Sequence, residues 1–255
     1  MASSISWKKI FDDYKILEHD FSKGCFGISA AQIKRACQDF KTTGEKEVRI
    51  LCKQDSRSDR PKCFEENGLF LLPTKNGNYV IIKGEGYIDV PEIKTPTVEY
   101  VSQLDFELDS SKVGSSEMQH LDFAYASSLI RTFLGDSSLV LTIRGRKYTP
   151  KFSFKVGNHT VEVKSVQTEV DAGYEGEDKI VLVEAKNSMT TNTIIRQLFY
   201  PFKQWKSFTN KNVLLLFFEK QGNVYNIWQY DFSNENDYNS IKLVKSARYK
   251  ILQKR

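Results

Sequence analysis

The chain has 255 residues, 40% of them hydrophobic and 13% aromatic, with a formal net charge of +5. That length accommodates one large domain, or a catalytic domain with a small companion, and is sufficient to bury a full core. No stretch has the apolar length of a membrane span or the layout of a signal peptide, so no membrane association is expected, and the chain reads as a cytoplasmic protein with reduced thiols. The cysteines, at positions 25, 37, 52 and 63, lack the paired spacing and nearby histidines of a zinc site. Charge is unevenly divided: residues 1–110 carry 16 Lys+Arg against 18 Asp+Glu, and the remainder 21 against 14. A basic surplus of that size suits a polyanionic partner, although a solvated face accounts for it equally well.

The first clear element begins at Ile28-Ser29-Ala30-Ala31-Gln32-Ile33. Ser29 can cap while Gln32 reaches back, and Ile28 can staple to Ile33, which predicts a helix to about Phe40 that ends before Gly44. A short helix is expected from Pro61 to Asn67, with Gly68 as its stop. Leu69–Leu72 and Tyr79–Ile82 flank Lys75-Asn76-Gly77-Asn78, a strong hairpin signal. Helix, helix, hairpin is the order of a winged-helix module. Residues 84–115 read as a connector rich in Gly, Pro, Thr, Ser and acids, with one short strand near Val98–Val101. The chain is therefore divided into an N-terminal α+β region, residues 1–110, and a second region, residues 111–255.

The second region has a clearer grammar. Leu121, Tyr125, Leu129 and Phe133 recur every four residues, which predicts one helix from Glu117 to Phe133 with Gly135 ending it. Strands are expected at Leu139–Arg144, Lys151–Val156, Thr160–Thr168 and Ile180–Lys186. Gly157-Asn158 turns between the middle two, and Glu169 to Asp171 extend the third. A helix follows from about Thr191 to Tyr200, ended or kinked by Pro201. Val213–Phe218, Val224–Tyr230 and a segment near Ile241–Val244 read as further strands. There is no internal repeat.

The chemistry concentrates in Gln167-Thr-Glu169-Val-Asp171 and Ile180-Val-Leu-Val-Glu184-Ala-Lys186. Strand alternation puts Gln167, Glu169 and Asp171 on one face with Val166 and Val170 on the other, and Glu184 and Lys186 together on one face of the next strand. Clustered carboxylates repel unless a proton or a cation lies between them. Magnesium suits such a site, because it takes hard oxygen ligands and keeps several waters. Asp171 and Glu184 are the candidate ligands, with the main-chain carbonyl of Ala185. A metal held there would polarise a phosphate, and Lys186 would hold the attacking water and stabilise the charge that builds up.

The spacing Asp171, a gap, then Glu184-Ala-Lys186 resembles the signature of the PD-(D/E)XK nuclease superfamily. Longer phrases resemble a group of type II restriction endonucleases: Gln167-Thr-Glu-Val-Asp-Ala-Gly-Tyr-Glu-Gly, Val183-Glu-Ala-Lys-Asn187, Ile195-Arg-Gln-Leu-Phe-Tyr-Pro201, and upstream Arg49-Ile-Leu-Cys-Lys53 with Asp55, Arg57, Pro61, Phe64 and Leu72-Pro73. Val170 stands where the signature often has proline. The resemblance implies an α/β fold with a restriction-endonuclease-like core, a mixed central sheet flanked by helices, over residues 111–255. In that reading the small α+β region, residues 1–110, recognises DNA. It further implies sequence-specific cleavage of double-stranded DNA with Mg2+, for which Mn2+ substitutes, to leave 5′-phosphate and 3′-hydroxyl ends. A homodimer on a palindromic site and a companion DNA methyltransferase in the host follow from the same likeness. The roles of Asp171, Glu184 and Lys186 carry over, and Gln197 matches a position that orients such sites.

Alternatives stand beside these readings. Glu184 and Lys186 could form an ordinary surface ion pair, although the surrounding valines and leucines point to a buried central strand, where charges are rare without a role. Glu162-Val-Lys164 has the same spacing but no acid a short hairpin before it. Glu169 is either a second ligand or a hydrogen-bonded neighbour, and Glu117 could add another carboxylate, although it reads better as a solvated helix start. Arg49, Lys53, Arg57 and Arg60 form one candidate DNA-binding set; Arg144, Arg146 and Lys147 form another or a solvated turn, and Arg196 could contact phosphate or pair with an acid. Isolated histidines and the absence of a Gly-rich phosphate loop exclude a His-based nuclease and an ATP requirement. A repair or recombination nuclease that recognises DNA structure, and a DNA-binding protein that retains only the fold, are the functional rivals.

Overall fold

The computed structural model describes residues 2–187 and 189–254. Trp7, Ile10 and Phe11 recur at helical spacing, and helix α1 (Ala2–Asp13) buries all three. Strand β1 (Phe26–Ser29) leads into helix α2 (Ala30–Ala36) through the expected capping box. The Gln32 amide donates to Ser29 Oγ at 3.2 Å and the Ser29 amide to Gln32 Oε1 at 2.9 Å. The helix stops at Ala36, four residues short of Phe40, where a turn closed by the Phe40 amide on the Cys37 carbonyl lays Phe40 against the same core. Three single-turn helices follow, α3 (Thr43–Lys46), α4 (Val48–Leu51) and α5 (Lys62–Glu65). The hairpin of β2 (Leu69–Lys75) and β3 (Asn78–Lys83) turns at Asn76-Gly77, where Gly77 has φ +74°. The three strands pair in the order β1-β3-β2 and close over the helices around Trp7, Phe11, Ile33, Leu51 and Phe64.

The connector holds two short strands, β4 (Tyr87–Asp89) and β5 (Val98–Val101), the second of them where the sequence places one. Beyond it, the helix predicted from Glu117 to Phe133 is two, α6 (Glu117–Ala126) and α7 (Leu129–Leu134). Ser128 turns the chain at φ +67°, and the carbonyl of Ser127 accepts instead from the Tyr100 hydroxyl at 2.8 Å and the Gln103 amide at 3.2 Å. Strands β6 (Val140–Tyr148), β7 (Phe152–Val156), β8 (His159–Val163), β9 (Gln167–Glu175) and β10 (Lys179–Lys186) come next. The single strand expected through residues 160–171 is therefore two. Ser165, at φ +55°, breaks it, and Thr149 bonds both sides of the break through its main chain. β8 turns back on β7 as a separate hairpin, and β9 joins the large sheet.

The predicted helix start at Thr191 is displaced by strand β11 (Asn192–Ile194), which pairs with β4; helix α8 (Arg196–Lys206) begins after it. Pro201 lies inside α8 instead of ending it. Proline removes only its own bond back to the Gln197 carbonyl, and the burial of Leu198, Phe199, Tyr200 and Phe202 offsets that loss. Three long strands close the chain: β12 (Asn212–Gln221), β13 (Val224–Phe232) and β14 (Ile241–Leu252).

The central sheet has the order β5-β14-β13-β12-β10-β9-β6 and is mixed, with β10/β12 and β14/β5 parallel and the other pairs antiparallel. Ile180, Leu182, Leu215 and Phe217 pack under α8 and the β7–β8 hairpin. Val181, Val183, Ala185, Leu216 and Phe218 pack under α6 and α7. The fold is thus mixed α/β, a mixed central sheet flanked by helices, and β10 is a buried interior strand with apolar residues on both faces. No helix among the described residues is long and apolar enough to cross a membrane.

Pairing between β6 and β9 is irregular at one place that matters. Ile143 faces Gly173 while Gly145 faces Val170, so β9 carries one extra residue across Asp171 and Ala172. The bulge changes the phase of the strand. Val166 and Val170 pack on the α8 side, but Ala172 and Tyr174, which simple alternation would keep with them, pack on the α6 side. Gly173 permits the close approach of β6, since a Cβ there would lie 2.6 Å from Ile143 Cβ. Gly173→Ala is expected to cost about 1–3 kcal/mol, read as a fall in the thermal unfolding midpoint. An unchanged midpoint would mean that β6 yields without strain.

Candidate functional site

Strands β9 and β10 pair from Ile180 opposite Glu175 to Val183 opposite Ala172, and there the ladder stops. β10 continues on β12 as far as Lys186 opposite Glu219, whereas the start of β9 stays on β6. Asp171 occupies the gap where the two strands part. Its Oδ2 accepts from the Ala185 amide at 2.8 Å, so a side-chain carboxylate replaces the main-chain carbonyl that the ladder would have supplied. Glu184 and Lys186 leave β10 on the same side, as strand alternation requires, and Lys186 Nζ donates to Glu184 Oε1. Their side chains are 11% and 24% exposed, respectively, which excludes an ordinary surface pair.

The electrostatics follow from this burial. Burial pushes the Glu184 carboxyl up to about 7, with Asp171 and Asp55 adding to the rise and Lys186 opposing it. Asp171 is also raised, chiefly by burial; the Ala185 amide and Lys186 work against the rise, and Glu117 and Glu169 add to it. For Lys186, burial pulls downward, but the carboxylates of Glu184, Asp171 and Glu117 together outweigh it and hold the ammonium above its ordinary value. Two carboxylates that bind protons more tightly than usual, beside a firmly charged lysine, form a site with an unmet demand for positive charge.

These side chains line a cleft of about 730 Å3 between the central sheet and the N-terminal lobe. Gln197, in the first turn of α8, also faces it; its Oε1 accepts from Thr193 Oγ1 at 2.7 Å, which leaves the amide nitrogen as the free end. Glu169 stands at the rim, more than half exposed, and pairs with Arg146 at 3.2 Å. Glu117, read from sequence as a solvated helix start, also lines the cleft, and its Oε1 accepts from the Asn187 amide at 3.2 Å.

The basic candidates separate into two groups. Arg49, Lys53 and Arg196 line the cleft. Arg57, Arg60, Arg144, Arg146 and Lys147 do not. Arg57 pairs with Asp89 and, at 3.6 Å, with Glu85, and Arg60 lies 5.5 Å from the Tyr87 ring centre. Arg144 pairs with Asp122, and Lys147 lies 5.9 Å from the Trp205 ring centre. The Glu162–Lys164 spacing yields no site: Glu162 lies on the β7–β8 hairpin in an exposed pair with Lys151 at 2.8 Å.

Asp55, part of the upstream phrase noted in the sequence but given no role there, also belongs to the cleft. Its carboxylate lies 3.3 Å from Arg196 and 3.8 Å from Lys53, and its carbonyl accepts from the Ile194 amide at 2.8 Å. It therefore ties the N-terminal lobe to the start of α8.

Among the described residues, no three His, Cys, Asp or Glu side chains gather in a metal-binding group. Asp171 and Glu184 are a carboxylate pair, with the Ala185 carbonyl beside them on the strand. That oxygen-only set, its acids raised chiefly by burial, fits magnesium rather than a softer metal. A family model described as "Domain of unknown function (DUF6997)" matches residues 82–250, and a second, "Domain of unknown function (DUF6996)", matches residues 4–81. No curated protein and no solved structure matches the chain.

Proposed function

The chain belongs to the DUF6997 family, and we propose that this member is a magnesium-dependent endonuclease of double-stranded DNA with a PD-(D/E)XK core, acting in the manner of a type II restriction enzyme. One observation carries the reading: Asp171, Glu184 and Lys186 converge where β9 and β10 separate, in a cleft between two lobes. The order α6, β6-β9-β10, α8, β12 around that gap supports the same core.

Asp171, Glu184 and the Ala185 carbonyl would hold Mg2+, with Mn2+ as a substitute. The chemistry such an ion supplies is polarisation of the scissile phosphate and acidification of a water. Lys186, held by Glu184, presents its ammonium to the attacking water and to the negative charge that grows on the phosphate. Gln197, fixed through its carbonyl by Thr193, offers its amide hydrogens to the same water. The water oxygen bonds to phosphorus as the bond to the 3′ oxygen breaks, and a proton passes to that leaving oxygen. The products are a 5′-phosphate and a 3′-hydroxyl. A homodimer would place one such centre on each strand of a palindrome, and a companion methyltransferase would protect the host sites.

The test is incubation of the full chain with supercoiled plasmid and Mg2+ or Mn2+. Discrete fragments that disappear on chelation are expected. Smearing or junction-specific cuts would favour a repair enzyme, and tight binding without cleavage under either ion would overturn the catalytic reading.

A further inference from the structure

The cleft has a second wall, and it belongs to the N-terminal lobe. Arg49 on α4, Lys75 at the end of β2 and Asn76 in the β2–β3 turn line the same cleft as the carboxylates, from the N-terminal lobe. All three are exposed, and neither Arg49 nor Lys75 forms an ion pair among the described residues. They differ in this from Lys53 and Arg196, which share Asp55. The turn is held in place: the Gly77 carbonyl accepts from the Ala30 amide at the start of α2 at 2.8 Å, and Asn78 Nδ2 donates to the Asn76 carbonyl at 3.3 Å. A basic tip that is already ordered loses little entropy when it meets a ligand.

We infer that this wall, Arg49 with Lys75 and Asn76, is a contact surface for the backbone of duplex DNA, which is gripped between the N-terminal lobe and the Asp171–Glu184–Lys186 wall. The inference rests on the nuclease reading and adds the partner surface to it. A duplex is favoured over a single strand because, among the described residues, the cleft offers no open aromatic platform on which bases could stack. Tyr200 is buried, with its hydroxyl on the Pro73 carbonyl at 2.9 Å, and Tyr79 is half-buried. The order of helices and strands in the lobe, with sheet order β1-β3-β2, supports a winged-helix-like unit whose wing is the β2–β3 turn.

The experiment uses the full chain in Ca2+, with fluorescence anisotropy on a random-sequence duplex of about 40 base pairs and on the matching single strand, at about 50–200 mM salt. Arg49→Ala with Lys75→Ala is expected to raise the duplex Kd about tenfold and to lower the salt slope by about 2. The charge-preserving pair Arg49→Lys with Lys75→Arg should bind within about threefold of the parent, and thermal midpoints should be unchanged in both. A double alanine variant with parental Kd and slope, or one weakened only towards the single strand, would overturn the surface. Plasmid cleavage in Mg2+ by the parent separates the two claims. Cutting together with unchanged variant binding removes the surface and keeps the nuclease; surface-dependent binding without cutting removes the nuclease and keeps the surface.

Discussion

Lys186→Ala is expected to slow single-turnover plasmid cleavage by about 10²- to 10³-fold while duplex binding in Ca2+ stays within about threefold of the parent. Two consequences of the geometry combine. The ammonium that would face the phosphate in the proposed reaction is lost, and Glu184, buried beside Asp171, loses the cation that opposes its rise above about 7. More of Glu184 is then protonated at neutral pH and unavailable as a ligand. The residual activity should therefore climb with pH beyond the range in which the parent levels off, a feature that a merely unstable variant would not show. Asp171→Asn is the companion test. Its amide oxygen can still accept from the Ala185 amide, so the parting of the strands is preserved while the charge is removed. If either variant cuts at the parental rate, these side chains are not the reacting centre.

The metal-free protein should lose stability as the pH is raised from about 5 to 8. Glu184 has an ordinary value of 4.5 when unfolded and stands at about 7 when folded. A carboxyl raised in this way favours the folded state fully below the lower value, and the benefit is lost as the pH rises through the upper one. The loss is at most about 3 kcal/mol by linkage. Asp171, raised as well, acts in the same direction. Lys186 stays charged across this window and does not offset the effect. Thermal unfolding in a chelator should show the decline, and Mg2+ should raise the midpoint more at pH 8 than at pH 5, because only ionised carboxylates bind it. Glu184→Gln should flatten the chelator profile. A flat profile in the parent would show that burial in the folded protein does not raise these carboxyls.

The two strands of the candidate site were readable because their signal has a period of two. Glu184 and Lys186 share a face for the same reason that Val181 and Val183 share the opposite one. Asp171 was readable as a residue but not as a geometry. Its position depends on a bulge fixed by β6 and on an amide of β10, both distant in sequence. Asp55 was noted without a role and Glu117 was weighed and set aside for a related reason, since each reaches the cleft through tertiary contacts and not through spacing. The breaks at Ser128 and Ser165 were hidden because partners elsewhere in the fold, Tyr100 and Thr149, accept or donate the bonds that a continuous element would have used. Pro201 was read as an end or a kink, and the end does not occur because the buried face of the helix holds it together past the proline.

The parallel ladder that joins β10 to β12 along its whole length has a last consequence. Sliding β10 by a single step would exchange its two sides, presenting Ala185 to the solvent-filled space and driving Glu184 and Lys186 into the layer beneath α6. Molecules with the strands mispaired would be inert rather than sluggish, so in any preparation the measured turnover should scale with the fraction correctly assembled.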